Sequence, residues 1–543
     1  VTCDVTERPP DNQTFRCTKG KQYWRNGVLD FGYAPPDKMN HEGELIYDCQ
    51  YRTIFGPSVA HNGSIYAKND INTSLMLQRI TGQRPVLHDE LFENQADYFD
   101  ENFSFILWLR EQFSPKLEDF FDVVDECRDH VGDPHPKRLL RLQAWQELIE
   151  EGRMYEPVWI HKVVYKMKRD EWAKYRGIPR GIGDLSVVAS LQGFVLTGML
   201  KEAQCRELHF FGGTAVFVKS PDFNSLTSLF NNLINPPGRF YFGYFSDDAC
   251  LSIRHNGAVY LFNMDISKCD ASHGPAVFRG FIDLVPEPAR STAESLVDQC
   301  RLPIEVTSTI DKRKKVKLKP NRPVLYSGST MTTAINNLAN LMICHSVVQV
   351  FDGTLESIKR GAQAVGYLVS GTEACEDFHD IQFLKHSPVL DSKGDVVPLL
   401  NLGVLLRASG VCRGDLPGPS TIPIQEKARI FQSALLAGAY PRAHFPLIDN
   451  MKKACAGATA QGKHLVQLKR QIETQFAYKV VDVDHPTIHV SAEESLFRYR
   501  LTPCEQYEVN ELFGRAKFQD RFRTPGIEKI LLRDYSLSCS VED

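Results

Sequence analysis

Three short runs between residues 240 and 265, Tyr241–Ser246, Ala249–Arg254 and Val259–Met264, alternate apolar with polar side chains. A period of two marks strands with one covered face. Asn256-Gly257 separates the second run from the third, and this dipeptide between alternating runs is the strongest short-range signal for a two-residue type I′ hairpin. A tight turn there sets His255 opposite Ala258, and counting outward along the ladder sets Asp248 opposite Asp265. Partners on neighbouring strands hold their Cβ atoms about 4.5–5.5 Å apart. Asp247, Asp248 and Asp265 are therefore expected at one edge of a small antiparallel sheet. Carboxylates so close repel one another unless a cation lies among them, and hard divalent ions with oxygen ligands are the natural occupants. An Asp-Asp pair in a hairpin also serves plain turn chemistry, and on the pair alone both readings stand.

Elsewhere the period changes. From about Phe103 to Gly152 apolar residues recur every three or four positions, in FILWLREQF, KLEDFFDVVDEC and RLLRLQAWQELIEEG, which predicts helices. The first hundred residues mix Pro, Gly and Asn with short apolar runs and carry Asn26-Gly27 and Asn62-Gly63, which predicts loops and small strands. Residues from about Lys162 to Gly410 alternate strand and helix patterns. From Ile424 on, EKARIFQSALLAGAY and KHLVQLKRQIETQFAYKV predict a mostly α-helical terminal domain.

Composition narrows the class. A chain of 543 residues can bury several hydrophobic cores. No apolar run reaches the roughly 18–20 residues of a membrane span, so no transmembrane segment is expected. The chain opens at Val1 with no basic-then-apolar leader, and is expected to be a piece of something larger. Its 14 cysteines are scattered without a CxxC pair or a Cys/His cluster, which suits reduced thiols better than a disulfide framework. The net charge of −4 argues against a general polyanion-binding surface, though not against a basic channel within a near-neutral shell.

Two further segments carry chemistry. Asp265 is followed five positions on by Asp270. Much later comes Ser327-Gly328-Ser329-Thr330-Met331-Thr332-Thr333-Ala334-Ile335-Asn336, leading into a helical run. Small residues at a helix head let backbone approach a ligand. Thr332 and Asn336, four apart, share a helix face; a hydroxyl and an amide there can both donate to and accept from a ribose 2′-OH.

These segments resemble viral RNA-dependent RNA polymerases. Asp265…Asp270 is similar to their motif A (D-x4-D), and Ser327-Gly328…Thr332…Asn336 to motif B (SG-x3-T-x3-N). The family's acidic hairpin, motif C, ordinarily follows B. Here no Asp-Asp pair sits in an apolar hairpin after Asn336, and Ser246-Asp247-Asp248 lies upstream of A instead. The motif order is C-A-B, similar to the permuted polymerases of permutotetraviruses and birnaviruses. The resemblance implies an α+β right-hand fold of fingers, palm and thumb with an antiparallel palm sheet. Residues 1–239 would be the N-terminal region and fingers, 240–274 palm, 275–326 a fingers insertion, 327–410 palm, and 411–543 a helical thumb.

It also implies roles. Asp265, Asp247 and, as an auxiliary, Asp248 would hold Mg²⁺ or Mn²⁺ for nucleotidyl transfer, while Asp270, Thr332 and Asn336, with Ser327 and Gly328, would receive the ribonucleotide. Residues 171–185 resemble motif F, whose Lys174, Arg176 and Arg180 would balance triphosphate charge. Ile381–Pro388 resembles motif E, with Phe383, Leu384 and Lys385 beside the primer strand and a return strand at Val397–Leu402. Leu355–Val369 fits motif D as a helix plus strand, but the lysine that serves as general acid in the family is missing from Val369-Ser370-Gly371-Thr372, so that role goes unassigned. The run Lys312–Lys319 reads equally as an RNA-backbone hairpin or a solvated one. Expected partners are RNA template, nascent RNA, NTPs and other viral replication proteins, in the host cytoplasm or in a virion. Two other readings remain open at this point: a reverse transcriptase, and an inactive polymerase-like RNA-binding subunit.

Overall fold

The computed structural model describes residues 14–25, 28–32, 50–52, 70–81, 88–113, 143, 146, 147, 150–152, 162–167, 180–185, 193, 196, 197, 200, 204, 207–218, 221–370, 372–413, 418–438, 446–476, 488–515 and 524–535. The architecture is α+β. Its centre is a six-stranded sheet in the order Glu373–Ala374, Ala258–Asp265, Asp248–His255, Phe240–Phe245, Gly213–Phe217, Leu208–Phe210. The three alternating runs form its antiparallel middle. His255 pairs with Ala258 and Asp248 with Asp265, the register that the turn dictates. Asn256 and Gly257 both hold positive φ, 48° and 80°, as a type I′ turn requires. The sheet extends further than the alternation shows, because Gly213–Phe217 runs parallel to Phe240–Phe245 on its outer side.

The alternation predicts one covered face, but both faces of Phe240–Phe245 and Asp248–His255 are covered and nearly every position in them is buried. Phe242, Tyr244, Leu251 and Ile253 lie in one core with Met264 and the helix Thr332–Val350. Every residue of that helix from Ala334 to Cys344 is buried, as suits a helix packed on all sides. Tyr241 and Cys250 point into a second core, shared with the C-terminal helices Ile424–Gly438, Pro503–Arg515 and Pro525–Tyr535. The mostly helical end predicted by periodicity is thus present, and it is fused to the sheet's underside.

A second sheet runs Phe15–Lys19, Lys315–Pro320, Ile304–Thr307, Val163–Met167, Gly181–Asp184. It draws the basic run Lys312–Lys319 into a hairpin with Ile304–Thr307. Lys315 and Lys317 face Glu305 there at 3.8 and 3.7 Å, beside Lys162 at 2.9 Å. The turn of that hairpin hangs on buried Asp70, which accepts from Ser308 Oγ and Thr309 N, each at 2.8 Å.

The first hundred residues hold the expected small strands, Phe15–Lys19, Trp24–Arg25, Val28–Leu29 and Gln50–Arg52, but are not confined to them. They contain the helices Asp70–Thr81 and His88–Glu101. Only a thin stripe of apolar residues on the second, Leu91 and Tyr98 among them, is buried, so its periodicity is easily missed. Helix Phe103–Phe113 follows as its spacing predicts. The segments KLEDFFDVVDEC and Asn62-Gly63 lie outside the described residues. The motif E return strand spans Val396–Leu400 rather than Val397–Leu402. Asn401 ends the ladder, since its carbonyl already accepts from Val404 N at 3.0 Å and the helix Leu402–Gly410 begins there.

Candidate active site

Ser246 and Asp247 make the whole connection between the first two middle strands, because Phe245 already pairs with Asp248. Asp247 thus stands at the tip of a two-residue turn, Asp248 at the first ladder position, and Asp265 across from it. Asp247 and Asp265 are exposed, whereas Asp248 is half-buried. Burial, with the charges of Asp247 and Asp265 added, pushes Asp248 up to about 7 despite the hydrogen bond it accepts. Burial and the charge of Asp247 push Asp265 up to about 6, against the pull of Arg180. Solvent reaches the exposed tip of Asp265 and moderates the rise.

Asp248 has a second attachment. Its Oδ2 accepts the backbone N–H of Leu384 at 2.9 Å. Phe383 and His386 exchange both backbone hydrogen bonds around Leu384 and Lys385, two non-glycine residues with φ of 49° and 66°. This tight turn is docked on the acidic strands: Cys250 Sγ donates to the Gln382 carbonyl at 3.0 Å, and Asn263 Oδ1 accepts from Gln382 N at 2.9 Å. Phe383 and Leu384 are buried, so of the three expected primer contacts Lys385 alone, half-exposed, presents a side chain to solvent.

The motif B segment arrives from the other side. Gly328 has φ 95°, and a Cβ there would sit 2.5 Å from the Gly183 carbonyl oxygen. Gly183 N in turn donates to the Ser327 carbonyl at 2.7 Å. The strand Gly181–Asp184 is thereby sewn to the loop ahead of the helix. Thr332 begins that helix with its hydroxyl donated to the Ser329 carbonyl at 3.0 Å. Asn336, one turn on and buried, uses its whole amide: Nδ2 donates to Asp270 Oδ1 at 3.0 Å and Ser246 Oγ at 3.2 Å, and Oδ1 accepts from His273 Nε2 at 2.7 Å and Cys269 Sγ at 3.3 Å. An ionised Asp270 can only accept, which sets the amide orientation and with it the proton on His273 Nε2. Burial holds the His273 imidazole down at about 4 and raises the Asp270 carboxyl, the latter tempered by Asn336 and Arg180.

Of the motif F cations, Arg180 is exposed just before the strand Gly181–Asp184, and its charge is felt at both Asp265 and Asp270. Lys174 and Arg176 lie outside the described residues. Among the described residues no three His, Cys, Asp or Glu side chains converge tightly enough to hold a metal ion by themselves. The donor set still suits a hard cation. Its carboxylates raise one another's proton affinity, and Mg²⁺ is usually bound by one or two carboxylates with waters and substrate phosphates completing the shell. The motif D stretch is the helix Leu355–Ala364, after which Val369 bridges to Ile266 beside Asp265.

Several residues here carry no motif signature: His273, Tyr367, Asn337 and Asn340. Tyr367 OH meets His273 Nδ1 at 2.9 Å. The run Asn336-Asn337-Leu338-Ala339-Asn340 does hold a readable signal, since three amides within an otherwise apolar helix must each find partners when buried.

No family model matches the chain, and no curated protein matches it. Among solved structures it is similar to the RNA polymerase VP1 from Infectious Pancreatic Necrosis Virus, with 12% identity and a TM-score of 0.36 over 63% of this chain and 49% of that one. It is also similar to a chain in the birnavirus VP1–VP3 complex, with 12% identity and a TM-score of 0.38 over 62% of this chain and 50% of that one. The chain spans about half the length of the solved structures that it matches.

Proposed function

We propose that the chain is a template-directed RNA polymerase whose palm carries its motifs in the order C-A-B. One observation carries the reading: a single buried amide, Asn336, bonds both the residue before Asp247 and the Asp270 carboxylate that follows Asp265. Three segments that sequence motifs single out separately are thus brought to one point. In this reading residues 240–274 and 327–410 are palm, 1–239 and 275–326 fingers, and 411–543 thumb.

Asp247 and Asp265 would hold Mg²⁺ or Mn²⁺, with Asp248 chiefly fixing the Leu384 turn beside them. When bound, the ions supply charge neutralisation for in-line attack of a 3′-hydroxyl on the α-phosphate. The chain's own residues do the rest. Arg180, with Lys174 and Arg176, would offset triphosphate charge. Asp270, held by Asn336 through one oxygen, would offer the other to a ribose 2′-OH, and the Gly328 loop and Thr332 would bound the nucleotide. Lys385 would touch the nascent RNA backbone.

The test is primer extension by the purified chain with rNTPs or dNTPs and Mg²⁺ or Mn²⁺. Incorporation of rNTPs that Asp247→Ala abolishes, with RNA binding kept, supports the reading. Equal use of dNTPs points to a reverse transcriptase, and metal-independent RNA binding without incorporation points to an inactive subunit.

A further inference from the structure

The turn that presents Asp247 is built on an unfavourable residue. A two-residue hairpin connection whose first position has positive φ prefers glycine there, and Ser246 occupies it with φ 54°. The conformation is one that a side chain bearing a Cβ disfavours. What offsets it comes from one helix. Asn337 Oδ1 accepts the Ser246 N–H at 2.7 Å, Asn340 Nδ2 donates to the Ser246 carbonyl, and Asn336 Nδ2 donates to Ser246 Oγ at 3.2 Å. Asn340 lies three positions beyond Asn337 and four beyond Asn336, so its side chain neighbours both along the helix. Asn337 and Asn340 are 0% and 1% exposed, and Asn337 is itself fixed by donating to Gln204 Oε1 at 2.8 Å. Both backbone groups and the hydroxyl of Ser246 are therefore bonded to the helix that opens with the Ser327-Gly328 loop.

We propose that Asn337 and Asn340 are positioning residues that hold the Ser246–Asp247 turn in its left-handed form and so set where the Asp247 carboxylate meets that of Asp265. The inference rests on the polymerase reading and adds to it residues outside the motifs. Neither amide touches substrate in this role. Each acts through the backbone of Ser246, which without them relaxes to negative φ and swings Asp247 away from the ladder edge.

The test is Mn²⁺ binding to the full-length chain in the absence of RNA and nucleotide, by titration calorimetry, with thermal melting in parallel. Removing a group that orients a metal ligand typically weakens metal affinity about 10–100-fold, and Asn340→Ala and Asn337→Ala are each expected to fall in that range. Adding Ser246→Gly to Asn340→Ala is expected to restore affinity, because glycine keeps positive φ unaided. Rescue separates positioning from general support of the core. Lower melting with unchanged Mn²⁺ affinity in the single variants overturns the proposal, as does a double variant that folds but binds no better than Asn340→Ala. If Asn340→Ala does not fold, the double variant still decides: folded and binding supports the proposal, unfolded or non-binding overturns it. Wild-type binding that Asp247→Ala removes and Asn340→Ala leaves intact sinks the clamp alone; if the wild type binds Mn²⁺ only once NTP is added, the same variants are compared with NTP present, and a wild type that binds under neither condition removes the polymerase reading as well.

Discussion

Asp248 and Asp265 are register partners across adjacent antiparallel strands, and burial together with the charges of Asp247 and Asp265 pushes Asp248 up to about 7. An acid whose folded pKa exceeds its unfolded value binds more protons in the native state, so its contribution to stability is present at low pH and is lost as pH rises. For Asp248 that window runs from the ordinary aspartate value of 3.8 to about 7, and for Asp265 from 3.8 to about 6. A divalent cation binds the ionised forms and releases protons. The gain in melting temperature from saturating Mg²⁺ is therefore expected to be small near pH 5 and to grow up to about pH 8. A gain independent of pH across that interval counts against cation binding at these carboxylates.

Asp248 has a structural duty besides its charge, accepting the Leu384 N–H at 2.9 Å. Asp248→Ala leaves that buried donor unpaired, at a cost of roughly 1–3 kcal/mol. Asp248→Asn keeps an oxygen in place and should recover most of the loss. Denaturant unfolding of the two variants measures the difference; equal destabilisation would show that the bond contributes nothing.

Sugar discrimination is expected to depend on Asp270, the carboxylate that Asn336 holds at 3.0 Å. A site built to bond a substrate hydroxyl rejects the analogue lacking it, and losing that bond relaxes the rejection. Asp270→Ala should lower the rNTP-over-dNTP ratio of kcat/KM by about 10-fold or more, mainly through rNTP. An unchanged ratio removes Asp270 from the ribose site.

Gly328 tests the seam between the loop and the strand Gly181–Asp184. Alanine there meets the Gly183 oxygen at 2.5 Å and inherits φ 95°, so Gly328→Ala is expected to cost about 1–3 kcal/mol. Melting should fall, and the KM for nucleotide should rise more than kcat drops. Wild-type melting would mean that the loop relaxes freely.

What the sequence made readable was local. The pairing of Asp248 with Asp265 follows from Asn256-Gly257 alone, because a two-residue turn leaves one register for the strands around it. Helices such as Phe103–Phe113 and Lys463–Phe476 showed their apolar stripes. What escaped was set by contacts between distant segments. Ser246 meets Asn337 across 91 positions, and the buried amides around Asn337 signal that partners are needed without saying which. Phe383 read as an RNA contact because its motif lies beside the primer strand in the family, yet its ring is 0% exposed beneath the turn that it helps to make. Gly213–Phe217 pairs in parallel, and parallel partners leave no turn in the sequence to betray them.

The Asn256-Gly257 turn has one more consequence, for the order in which the chain assembles. Because the two acid-bearing strands are consecutive, their pairing closes the shortest of loops, and little chain entropy opposes it. The ladder from His255–Ala258 outward to Asp248–Asp265 can zip from its turn within microseconds, before the helix Thr332–Val350 has to find it. With the two strands consecutive, the pairing of the two acids is a local event rather than a long-range search, and only the docking of Asn336, Asn337 and Asn340 is left to be found at a distance.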